Sequence, residues 1–118
     1  MTITEFWAAR LDEDEAAANA VRPDQDYADS EHQERWSPAR VLREVQADRL
    51  LLAELAGARL AYTQASSVCL DTRDRAAVAK YDAEVGALHG AWRALERLAF
   101  AKAAVYSDHP DYQKEWAP

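Results

Sequence analysis

Arg10 and Asp14 stand four residues apart in EFWAARLDEDE, and Asp48 and Arg49 are adjacent in VQADRLL. Both pairs lie among apolar residues at helical spacing, Arg10 and Asp14 with Ile3, Trp7 and Val21, Asp48 and Arg49 with Val45 and Leu52. Desolvating a charge costs several kcal/mol per ion, so such residues must pair or serve a ligand. A buried ion-pair network that fixes helix register is one reading, with Arg10 bonded to Asp14 at i,i+4. A polar pocket is another, in which Arg10 and Arg49 clasp a phosphate or carboxylate while Asp14 and Asp48 orient them. Partial exposure with no role is the third. The candidate ligand-binding residues are completed by Asp108 and His109 in YSDHPDYQKEW. A histidine between Asp108 and Asp111 can titrate near neutrality and act as acid or base. It could equally bond only backbone or carboxylate, because no nucleophile or metal set accompanies it.

Other chemistry is sparse. The chain has no phosphate-binding glycine loop, no G-x-S-x-G elbow and no H-E-x-x-H. One cysteine, Cys69, cannot build a thiolate zinc cage or an internal disulfide, and reads as a small buried hydrophobe. His32, His89 and His109 have no ligand-like spacing. No metal, cofactor or catalytic residue is expected.

The elements that must position these groups are helical. The first helix covers about 3–21, with Ile3, Phe6, Trp7, Ala17 and Val21 on one face, and Pro23 ends it. An acidic linker follows over 22–36, with Tyr27 and Trp36 as anchors. Ser37-Pro38 is an N-cap followed by proline at the first helical position, and Trp36 with Val41 suits a hydrophobic staple. The second helix runs over about 38–62 through Val41, Val45, Leu52, Leu55 and Tyr62. The third, over about 72–105 and capped by Asp71 or Thr72, carries a heptad seam of Val78, Tyr81, Val85, Leu88, Trp92, Leu95 and Ala99. A tail over 106–118 closes the chain: Pro110 starts a short turn, with Tyr112 and Trp116 facing the bundle as a lid. The expected fold is all-α, a single helical domain in which a long antiparallel hairpin is covered by the N-terminal helix and the tail.

The third helix has a second surface. Ala83, Gly86, Ala87, Gly90, Ala91 and Ala94 line the side opposite the seam, where another backbone could approach closely. The first helix, solvent or a second copy could cover it.

Leu, Ile, Val and Phe number 21 of 118 residues, so the core is thin and self-association would add burial. A net charge of −7 argues against direct nucleic-acid binding and against an anionic membrane surface. No run of about 18 apolar residues and no basic-then-apolar leader is present, which points to a cytoplasmic protein.

EFWAARLDEDE, WSPARVLREVQADR and AAVYSDHPDYQKEW together resemble the blocks of an uncharacterised family of small actinobacterial and actinophage proteins. That resemblance implies a cytosolic location and supplies no activity. It also implies paired cysteines before the tail, suggestive of zinc, but this chain has Glu96 and its neighbours there. The residues favour a small acidic helical interaction protein, possibly homodimeric. The alternatives are a binding protein or enzyme for a phosphate- or carboxylate-bearing ligand, built on the Arg/Asp/His cluster, and an acidic decoy of a nucleic-acid-binding protein.

Overall fold

The computed structural model describes residues 1–21 and 37–117. Three helices form it: α1 over Ile3–Ala20, α2 over Pro38–Ser66 and α3 over Arg75–Ala103, followed by 3-10 turns at Ala104–Tyr106 and Lys114–Trp116. No strand occurs among the described residues, and the fold is all-α. The acidic linker expected over 22–36, with Pro23, Tyr27 and the Trp36 staple, lies outside the described residues.

Each helix starts on a side-chain cap. Thr2 and Glu5 form a reciprocal capping box on α1, the Thr2 hydroxyl accepting the Glu5 N–H and the Glu5 carboxylate accepting the Thr2 N–H at 2.7 Å. Those bonds hold the Glu5 carboxyl below its usual value, the backbone bond to Thr2 contributing most. Ser37 caps α2 through Arg40 N–H, with Pro38 at the first helical position. The cap of α3 is Asp74, three residues beyond Asp71, its carboxylate accepting the Ala76 and Ala77 N–H groups. Thr72 instead accepts the Asp74 N–H. The end of α2 is closed from across the hairpin: the Tyr81 hydroxyl donates to the carbonyls of Ala65 at 2.6 Å and Val68 at 3.1 Å. Those carbonyls belong to the last turn and the loop, where intrahelical donors run out.

α2 and α3 run antiparallel, shown by Tyr81 against Ala65, Tyr62 stacked on Trp92 at 5.3 Å, and Lys102 bridged to Asp48 at 2.8 Å. α1 runs antiparallel to α2, placing Thr4 beside Arg59 and Thr63 and placing Asp12 and Glu15 on Arg49. The buried stripe of α1 is Ile3, Phe6, Trp7, Arg10, Leu11 and Ala18; Ala17, expected inside, is exposed. The stripe packs on Val45, Leu55, Ala99 and Ala103, and Trp116 closes the cluster.

This core occupies one end of the hairpin. An 18-residue helix spans about 27 Å and a 29-residue helix about 43 Å, so α1 cannot cover its partners. From residue 56 to residue 98 nothing is buried. The heptad seam is real, but in this arm Val78, Tyr81, Val85, Leu88 and Trp92 are only half-buried, because two helices shield a seam less than three. Cys69, expected as a buried hydrophobe, is a free and exposed thiol at the hairpin tip.

Gly57 lies within α2, and a Cβ built there meets nothing within 4 Å. Gly57→Ala therefore gains helix propensity without a clash and should stabilise the monomer by about 0.5–1 kcal/mol in urea denaturation.

Candidate functional site: the Arg10 cluster under the tail

The α1 stripe carries Arg10 inward because it stands three residues beyond Trp7 and four beyond Phe6. Its side chain is 7% exposed. One terminal nitrogen pairs with Glu13 at 3.0 Å, while the other meets both ring nitrogens of His109, Nδ1 at 2.6 Å. A guanidinium can only donate, so the imidazole accepts through a ring lone pair. The backbone N–H of Asp111 also donates to His109 Nδ1 at 3.1 Å. Arg10 further lies 5.1 Å from the Phe6 ring centroid, a cation–π contact. Asp111 stands 3.9 Å from both Arg10 and His109.

Phe6 is the hub that brings the tail down. Tyr106, His109 and Tyr112 meet it edge-on at centroid distances of 6.5, 5.7 and 5.7 Å, and Trp116 packs tilted at 5.2 Å. Such aromatic pairs add about 0.5–1.5 kcal/mol each beyond burial. The chain reverses through backbone bonds from His109 N–H to the Tyr106 carbonyl and from Tyr112 N–H to the His109 carbonyl. Pro110 thus sits in a turn and starts no helix; the later 3-10 turn begins at Lys114.

A second group adjoins. The Tyr106 hydroxyl donates to Asp14 at 2.5 Å. Burial, then the Asp14 bond and the charges of Asp14 and Asp48, push the Tyr106 phenol well above its ordinary value, with Arg10 opposing. Asp48 is paired with Lys102 of α3.

The expected pairings change accordingly. Arg10 takes Glu13 and the tail, not Asp14, because Asp14 turns to Tyr106. Arg49 does not join Arg10: it is 40% exposed and binds Asp12 at 2.7 Å and Glu15 at 2.5 Å, which hold its guanidinium above its usual value, Glu15 foremost. No two-arginine clasp forms. Asp108 is exposed at the turn beside His109. Sequence reasoning missed Glu13, although it stands three residues from Arg10 on the same helix, and it missed Lys102 and Tyr106, whose partners come from distant segments and leave no local spacing signal. The strip Ala83, Gly86, Ala87, Gly90, Ala91 and Ala94 is exposed throughout, so neither α1 nor the tail covers it.

What the cluster does chemically is bind a tail. Arg10 Nε, Trp7 Nε1 and the Tyr112 hydroxyl are buried without a hydrogen-bond partner, yet the terminal nitrogens of Arg10 are committed to groups of its own chain. Among the described residues, no group of three His, Cys, Asp or Glu side chains could hold a metal ion.

The whole chain, residues 1–118, matches the model of DUF6221, a family of unknown function, and belongs to that family. No curated protein and no solved structure matches it. Among the described residues, no helix is long and apolar enough to cross a membrane.

His109 closes the inner side of a buried guanidinium, whereas Glu13 is 60% exposed. His109→Ala should therefore cost about 2 kcal/mol and Glu13→Ala under about 1 kcal/mol, compared by urea denaturation followed at 222 nm.

Proposed function

We propose that this chain is a helical interaction protein whose docking limb is the two-helix arm over residues 56–98, formed by the last part of α2, the hairpin loop and α3 as far as Leu98. One observation carries the reading: 43 consecutive residues, 56–98, contain no buried side chain. The arm is nonetheless apolar enough to bury more. Leu60, Val68, Leu70 and Leu98 are 56, 55, 42 and 51% exposed. Where α1 stops, an open groove of about 390 Å³ lies between Thr4 and Leu52, Leu55, Ala56 and Leu60, with Arg59 on its wall. A third helix fills the equivalent groove at the other end, which is how amphipathic helices dock.

The other readings have less support. The ligand site needed Arg10 and Arg49 together, and they take separate partners. The decoy needed free carboxylates on one face. Asp12 and Glu15 bind Arg49, Glu13 binds Arg10, and Asp14 accepts from Tyr106. A cytoplasmic setting fits the free thiol of Cys69, which a reducing compartment preserves. The arm docks protein helices, and direct nucleic-acid binding is disfavoured by the net charge of −7.

Site-specific photo-crosslinking in cells that express the chain tests this. A photoreactive residue at Leu60 or Ala83 on the arm should give discrete protein adducts, and the same residue at Ala16 of α1 should give none. Adducts from Ala16 alone, or none from either arm position, would overturn the assignment.

A further inference from the structure

His109 holds the tail on α1 as an acceptor, and two donors converge on one of its atoms. Nδ1 receives the Arg10 guanidinium at 2.6 Å and the backbone N–H of Asp111 at 3.1 Å. Neither donor has a lone pair to offer in return. The docked ring is therefore the neutral imidazole with Nδ1 unprotonated. An imidazolium carries a proton on both nitrogens. In this position it would set N–H against N–H twice, and a cation against a buried guanidinium.

We propose that His109 is an acid-released latch: taking up a proton detaches it from Arg10 and frees the tail from α1. The device is separate from the docking arm, since Arg10 and the tail belong to the packed end of the bundle.

The groups that face His109 decide the sign. α1 presents Arg10 and the Phe6 ring, the latter edge-on at 5.7 Å. Glu13 is committed to the other terminal nitrogen of Arg10, and Asp14 to the Tyr106 hydroxyl. Asp48 of α2 and Lys102 of α3 pair with each other. The tail itself presents Asp111, 3.9 Å from His109 Nδ1, and the exposed Asp108. Asp111 attracts an imidazolium, but its side chain is 57% exposed and its field is screened. Both aspartates also travel with His109 when the tail leaves. They favour its proton in either state and cannot hold the tail down. Arg10 alone among these charges stays behind on α1 while bonded to the ring, and it repels the protonated form.

Release therefore takes up one proton. Docking is fully present above the ordinary imidazole range near pH 6.5 and weakens as pH falls through it. From pH 7.5 to 5.5 the released fraction should rise about tenfold. The rings of Tyr106, Tyr112 and Trp116 around Phe6 carry no charge in this range, so they set the starting level of opening and not its direction. Release uncovers Phe6, which is wholly buried, beside the Arg10 guanidinium. An aromatic and cationic surface closed at neutral pH is thereby opened by acid.

Amide hydrogen exchange at pH 7.5 and 5.5, each referred to the intrinsic rate at that pH, tests the latch. The N–H groups of His109, Tyr112 and Trp116 make single turn bonds that a released tail opens to water. Their protection should fall about tenfold in the unaltered chain, while amides of α1 around Leu11 hold theirs. His109→Gln keeps an acceptor that does not titrate, and its tail protection should be the same at both pH values. Unchanged tail protection in the unaltered chain, or an equal fall in His109→Gln, would overturn the proposal. Nitrogen NMR of the imidazole in the unaltered chain decides the matter even where the glutamine variant fails to dock. Proton uptake by His109 that coincides with the loss of tail protection supports the latch, and uptake with the tail still protected refutes it.

Discussion

The structure depends on a mismatch of length. α1 has 18 residues and the helices it covers have 29 each. Burial in a helical bundle needs a third side to the groove, and here that side ends at Ile3. At one end Phe6, Trp7, Leu11, Ala99 and Ala103 are almost wholly enclosed. At the other end the seam of α2 and α3 is shielded by two helices alone. A single sequence thus holds a packed anchor and an open limb, without a linker between them, because both limb helices run unbroken into the anchor.

Within the anchor, the cost of burying Arg10 decides where the tail goes. A guanidinium with 7% of its side chain exposed needs compensation on the order of several kcal/mol. Glu13 supplies it from the solvent edge, Phe6 through its ring face, and His109 from the tail. Bringing His109 to Arg10 also brings Tyr106, Tyr112 and Trp116 around Phe6. The polar contact specifies the position of the tail, and the aromatic contacts supply most of the burial. Asp14 and Asp48 extend the cluster to Tyr106 and Lys102, tying α1 to the turn that leads into the tail and α2 to the last turn of α3.

The sequence revealed the elements well. The period of Ile3, Phe6, Trp7 and Arg10 marks the inner face of α1, Ser37-Pro38 marks the start of α2, and the seam from Val78 to Ala99 marks the inner face of α3. Tyr112 and Trp116 at a spacing of four pointed correctly to rings on the bundle. Partners were less legible. Spacing within α1 offers Asp14 to Arg10, yet the group that meets Arg10 inside is His109, 99 residues away. Arg49 shares the period of the inner face but sits at its edge, where the exposed Asp12 draws it outward. A helical period locates a face to within about a third of a turn, which does not separate buried from rim. The open arm could have been foreseen only by comparing helix lengths, since its seam pattern is as regular as that of a covered helix.

Hydrogen exchange at single-residue resolution, with the chain at about 1 µM, addresses the central claim directly. Opening free energies vary along a structure with local burial. Amides of α1 near Trp7, of α2 from 45 to 55 and of α3 from 95 to 103 should exchange slowest and together. Those of α2 from 59 to 66 and of α3 from 76 to 90 should exchange faster by at least about a hundredfold, a difference of about 2.7 kcal/mol. Uniform protection along both long helices would contradict the account, because it would mean that the core does not end where α1 ends.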